Sequence, residues 1–206
     1  TNSSLKSKMK LIEGVKHIGR PFEIPDCSRD DLPEFFKDIG FNVGAEIGVY
    51  IGGYSKMLCK AGLKLYSIDP WFYPDLPFKN PGEEKNYRIT QQRLKPYDCT
   101  IIRKTSMEAV KDFTDGSLDF VYIDANHAFK YVTEDIWEWS KKVKKGGIIS
   151  GHDYDYIVRP GDRHVKFVVD AYTQALKIDK WYILGRRSAP LGEKRDKDLS
   201  WFWFNP

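Results

Sequence analysis

From residue 42 onward the chain alternates strand-like and helix-like segments with short connections, and that alternation limits its fold more than any other feature. Residues 42–50 (NVGAEIGVY) read as a strand and 52–62 as a helix, and 63–69 (LKLYSID) form a second strand with apolar residues in period two. Strand 99–104, helix 106–116 closed by Gly116, strand 117–124, a long helix over 128–146 and strand 147–151 continue the series. Helix 163–177 and strands 181–185 and 199–205 end it. Such alternation predicts an α/β fold with a doubly wound, mostly parallel sheet of seven strands. The last two strands follow one another across a basic turn (RRSAPLGEKRDKD), which predicts an antiparallel pair at one edge. Ahead of the series, Ser28 caps a helix to Ile39, with acids in its first turn and Leu32, Phe35, Phe36 and Ile39 on one face.

At 206 residues the chain is long enough for one full core. The expected organisation is an N-terminal arm over 1–27 and a single domain over 28–206. No apolar stretch reaches the 18 or so residues that span a bilayer, and TNSSLKSKMK lacks a leader's apolar segment. Cys27, Cys59 and Cys99 stand far apart and odd in number, which speaks against a disulfide framework and for a cytoplasmic, reducing location. A net charge of +4 gives little support for nucleic acid as the main partner, although the N-terminus and RRSAPLGEKR could contact phosphate. Aromatic residues make up 15% of the chain, more than such a core needs; many flank the expected ligand edge, including Tyr50, Trp71, Phe72 and Tyr154. Trp137 and Trp139, two apart on one helix, cannot share a face, and Trp137 is the one expected in the core. The lysine-rich KKVKKGG reads as the end of that helix, complementing its dipole.

Four places carry candidate chemistry. In AEIGVYIGG, Gly48 permits a tight turn and Gly52 and Gly53 let a helix start approach a ligand, while Tyr50 replaces the glycine a pyrophosphate would require. Asp69 ends the next strand 21 residues on, where an acid accepts ribose hydroxyls in this architecture; the alternative is a turn aspartate before Pro70. Asp124 and Asp153 each end an apolar strand and would open into the same crevice, where two acids can hold a hard cation. His127 and His152 stand beside them, either able to act as a general base near neutral pH. The plainer readings are a solvated helix start for His127 and a buried, hydrogen-bonded His152. Ser106 borders an adenine or simply caps its helix. The proline- and aromatic-rich segment 70–97 is too long for an idle loop and is expected to be a substrate loop or lid.

The ordered series EIGVYIGG, YSID, TSMEAV, LDFVYIDANH and KKGGIISGHDY resembles class I S-adenosylmethionine-dependent methyltransferases, from about Ser28 onward. More narrowly, it is similar to the small O-methyltransferase-like branch with the motif order of catechol O-methyltransferase. The resemblance implies that Glu46 and Gly48 lie along the methionine part of the cofactor. Tyr50 and Gly52 complete its loop, Asp69 holds its ribose, and Ser106 and Met107 flank its adenine. Asp124 belongs to that cofactor edge as well, and by resemblance Asp124 and Asp153 hold a magnesium ion. The base falls at His127, where relatives carry lysine, and Tyr154 stands where asparagine is common. The implied function is methyl transfer to a hydroxyl of a small molecule or sugar; assembly into a homo-oligomer stays open. The alternative is a noncatalytic adenosine-ligand or partner-binding module on the same fold.

Overall fold

The computed structural model describes residues 11–72, 81–155 and 164–206. Eight strands make one sheet in the order β1-β7-β8-β6-β5-β2-β3-β4. They are β1 (Phe22–Ile24), β2 (Val43–Ile47), β3 (Lys64–Ile68), β4 (Cys99–Ile102), β5 (Leu118–Ile123), β6 (Val143–Gly151), β7 (Trp181–Leu184) and β8 (Trp201–Phe204). Every neighbouring pair is parallel except those of β8, which runs antiparallel between β6 and β7. The strand count is therefore eight and not seven. The additional strand comes from the segment read as an arm, where three residues pair with β7 and close that edge.

Helices on the two faces include α1 (Leu32–Asp38), α2 (Gly53–Lys60), α3 (Pro81–Leu94), α4 (Ser106–Ala109), α5 (Phe129–Lys142) and α6 (Val165–Ala175). Alternation along the strands sends side chains to two separate cores. In β5, Val121 and Ile123 join Ile136, Trp139, Val169, Trp201 and Trp203 on one side, while Phe120 and Tyr122 meet Phe35, Phe36, Tyr54 and Phe202 on the other. All six residues of β5 are buried, as a strand covered on both faces requires. Gly44 lacks a side chain where the Phe120 ring lies; a Cβ there would stand 2.3 Å from it.

The structure corrects three sequence expectations. Trp139 is fully buried and Trp137 is half exposed, the reverse of the expectation, because the inward stripe of α5 runs Val132, Ile136, Trp139. The long helix ends at Lys142, and KKVKKGG is mostly strand. Val143 is buried and pairs with Leu118, so β6 begins at once and reaches regular register through an irregularity near Phe120. Segment 70–97 is not wholly irregular, since α3 fills its second half. Residues 73–80 of the segment expected to be a lid, with Tyr73 and Phe78, lie outside the described residues, as does Tyr156. Among the described residues no helix is long and apolar enough to cross a membrane.

Candidate active site

The carboxyl ends of β2, β3, β5 and β6 meet at one edge of the sheet, and the candidate residues gather there in two groups. The first is built on the turn from β2 into α2. Gly48 has φ of +88°, and a Cβ on it would lie 2.1 Å from the Asp124 carbonyl oxygen, so only glycine fits. Gly52, with φ of +71°, caps α2. Between them Tyr50 is exposed and also left-handed, at φ 55°. The Asp69 carboxylate organises this turn. One oxygen accepts the N–H groups of Val49 (2.9 Å) and Tyr50 (3.0 Å), and the other accepts Trp71 N–H (2.7 Å). From the far side Thr90 and Trp71 donate to the Tyr50 carbonyl, and Arg93 donates to that of Ile51 (2.7 Å). Trp71 is thereby buried against Tyr87 and forms no open aromatic wall.

Glu46 lies beneath this turn, nearly fully buried. It accepts the Ser55 hydroxyl, which in turn accepts Ser67 at 3.0 Å. Burial pushes its carboxyl well above the usual range. At the end of β4 the helix cap is Thr105, not Ser106: Thr105 and Glu108 exchange side-chain and backbone hydrogen bonds. Ser106 Oγ is turned inward, donating to Asp135 and accepting Trp139 Nε1–H at 2.8 Å. Burial lifts Asp135 to about 7. Met107 packs half-buried against the same core.

The second group stands on β5 and β6. The register pairs Ile123 with Gly151, which sets Asp124 beside His152 and Asp153. Asp153 adopts φ of 60°, a left-handed conformation costing a non-glycine residue about 1–2 kcal/mol. Its Oδ2 lies 3.1 Å from His127 Nε2 and 3.2 Å from His152 Nδ1. His127 Nε2 is also 3.8 Å from Asp124, and this buried nitrogen makes its charge contacts without an aligned hydrogen bond. His152 is held on its other nitrogen by Asp196, at 3.1 Å. Asp196 further accepts the Ser200 hydroxyl (2.7 Å) and Arg29 N–H (2.9 Å), and the Arg29 guanidinium reaches Asp124 at 3.1 Å. Three carboxylates thus face one guanidinium and two imidazoles.

Electrostatics follow from that count. Burial disfavours a charged His127, but Asp124 and Asp153 outweigh it and lift its pKa to about 9. His152 is raised to about 10 in the same contest, by Asp153 and Asp196. The imidazoles in return hold Asp153 below the usual carboxylate range despite its burial. Asp124, His152 and Asp153 each offer one ligand atom, all within 4.8 Å of one another. Two carboxylate oxygens and an imidazole nitrogen form a donor set that divalent metals accept. Tyr154 adds nothing to it: the ring is buried and its hydroxyl donates to Asp170 at 2.6 Å.

A methyltransferase-domain family model matches residues 45–154, from β2 through the second histidine–aspartate pair. The chain belongs to this methyltransferase family. Solved structures similar to this methyltransferase domain share its fold at low identity. A candidate caffeoyl-CoA O-methyltransferase from Staphylococcus aureus is 17% identical, with 84% of this chain and 81% of that one covered and a TM-score of 0.60. An O-methyltransferase from Bacillus cereus in complex with SAH is 12% identical over 99% and 91% of the two chains, with a TM-score of 0.61. The N-methyltransferase NodS from Bradyrhizobium japonicum is 17% identical over 85% and 92%, at 0.54. A curated relative, the uncharacterized protein y4gI of Sinorhizobium fredii, is 26% identical over 124 residues; the match covers 52% of this chain and only 12% of that protein.

Sequence reasoning missed Arg29 and Asp196. Arg29 opens the short capped turn ahead of α1 and Asp196 lies in a charged loop; what draws them in is the pairing of β1 with β7, which no local pattern announces. A shallow recess of about 260 Å³ lined by Trp137, Ser140, Lys141, Tyr172 and Asn205 shares no residue with either group.

Proposed function

We propose that the chain transfers a methyl group from S-adenosylmethionine to a hydroxyl of a small molecule or sugar, as expected of the O-methyltransferase-like branch. The observation that carries this reading is the convergence of Asp124, His127, His152 and Asp153 beside a turn pinned by Asp69. The cofactor supplies an already electrophilic methyl on a sulfonium. Gly48, Tyr50 and Gly52 shape its loop, and Asp69 holds that loop while its remaining lone pair stays open to a ribose hydroxyl. Glu46 acts from below through Ser55, and the backbone around Ser106 and Met107 edges the adenine. Segment 70–97 serves as the lid, tied to the cofactor turn through Thr90 and Arg93.

His127 is the better base of the two, because its Nε2 lacks an aligned partner whereas both nitrogens of His152 are engaged. Raised to about 9, it carries a proton in neutral solution. A sulfonium entering the crevice adds positive charge, lowers that affinity and leaves the imidazole free to accept the acceptor's hydroxyl proton. His152, fixed between Asp153 and Asp196, orients Asp153. Asp124 and Asp153 would hold a divalent cation, joined by His152 Nδ1 where the ion displaces its proton, and the cation would lower the acceptor hydroxyl's pKa and fix its direction. Three cysteines, all free, suit a cytoplasmic setting.

Calorimetry with S-adenosylmethionine, S-adenosylhomocysteine and NAD tests the reading. Binding of the first two and not the third is expected. Absence of binding by both sulfur ligands would overturn it.

A further inference from the structure

Asp196 apart, the side chains of the basic turn between β7 and β8 have no part in the methyl transfer described above, yet the turn emerges at the same edge of the sheet. β7 runs parallel to β6, so residues 185–200 leave from the carboxyl end, next to Asp153 and Asp196. Its backbone is tethered at several points. Gly185 N–H donates to Ile24 (2.7 Å), Arg187 N–H to Glu23 (3.4 Å) and Lys194 N–H to Asp26 (2.7 Å), and Arg195 bridges Cys27. The turn therefore presents its side chains from a fixed frame.

Two of those side chains are paired unlike their neighbours. Arg186 meets Glu193 at 3.3 Å and Lys194 meets Asp31 at 2.9 Å, ordinary contact pairs. Arg187 and Arg195 instead flank one carboxylate, Asp155, at 3.9 Å each, and Arg187 stands equally far from Glu23. At 3.9 Å none of these is a hydrogen bond. The two guanidiniums are drawn together by a shared charge that their N–H groups do not engage. Arg187 is further fixed over the Tyr154 ring, 5.4 Å from its centroid. Guanidinium pairs in this arrangement suit an oxyanion, which can take two N–H donors from each fork.

We propose that Arg187 and Arg195 form a subsite for an anionic group (phosphate, sulfate or carboxylate) on the methyl acceptor. The assignment to the acceptor rests on the methyltransferase reading above; the anion site itself rests on the arginines alone. Asp155 lies two residues beyond Asp153, in the turn that leaves β6. Arg195 is joined directly to Asp196, the partner of His152. An acceptor anchored there by its anion would lie along the same sheet edge as His127.

The probe is inorganic phosphate, titrated against chloride at constant ionic strength and followed by amide NMR shifts. S-adenosylhomocysteine affinity is measured in parallel on each protein. Phosphate should shift residues 155 and 186–196, and Arg187→Gln with Arg195→Gln should weaken its binding about tenfold or more, equivalent to about 1.4 kcal/mol. Arg20→Gln, an exposed arginine ahead of β1 at the opposite end of the sheet, should change nothing. Phosphate binding that survives the double substitution, or falls equally in Arg20→Gln, overturns the subsite. Loss of S-adenosylhomocysteine binding in every protein, with phosphate binding intact, overturns the methyltransferase reading and leaves the anion site standing.

Discussion

The two halves of the crevice are held by different physics. Around Asp69 the donors are backbone N–H groups, and the turn begins at Gly48, where no other residue fits. Around Asp153 the donors are charged side chains: two imidazoles and a guanidinium against three carboxylates. Chain geometry settles the first half. The second half is a balance of charges, and each proton or ion that enters redistributes it. The contrast suits a division of labour in which one half holds a constant ligand and the other handles a proton.

That division can be broken from either side. The largest effect is expected from His127→Ala: turnover of an acceptor found by screening falls about 10²–10⁴-fold, the usual worth of a general base. S-adenosylhomocysteine affinity by calorimetry should stay within about twofold, a difference under about 0.5 kcal/mol. If affinity collapses too, the halves are not separate. Asp69→Ala should do the converse. It releases three N–H groups from a charged acceptor, each such bond being worth about 1.5–3 kcal/mol, and affinity should fall about 100-fold with a lowered thermal midpoint.

Alkaline pH should loosen the second half selectively. His127 and His152 bind their protons more tightly folded than unfolded, so their stabilisation is complete below about 6.5, the unfolded value. It drains away as pH rises through about 9 and about 10. Urea midpoints should therefore decline between pH 7 and 10, and the decline should be shallower in Asp196→Asn. A flat profile would show that the carboxylates do not hold the imidazolium forms. At the small end, Ser200→Ala removes one hydroxyl from Asp196 and should cost about 1 kcal/mol in urea unfolding, without altering S-adenosylhomocysteine binding.

The same contrast explains what the sequence disclosed. Strand–helix alternation, the β2 turn and the acids ending β3, β5 and β6 are local patterns, and Asp69, Asp124, His127, His152 and Asp153 were legible from them. Arg29 and Asp196 were not, because they reach the site through a strand pairing across about 160 residues of chain. Trp137 and Trp139 differ only in which face of α5 turns inward, and a spacing of two residues leaves that choice to the packing partners. Ser106 looked like a cap because Thr105, one residue earlier, makes the same kind of signal.

The position of β8 has a consequence for how the molecule is made. Its residues are the last strand in order, yet they lie between β6 and β7, and β1 joins the sheet only through β7. During synthesis β2 to β6 can assemble as soon as they emerge, whereas β1, made before them, must wait for β7 and β8. Asp196 and Ser200, just ahead of β8, arrive with it. His152 thus gains its second partner only when β8 docks, and a nascent chain stalled before residue 200 would display a finished Asp69 turn beside an unfinished His152–Asp153 cluster.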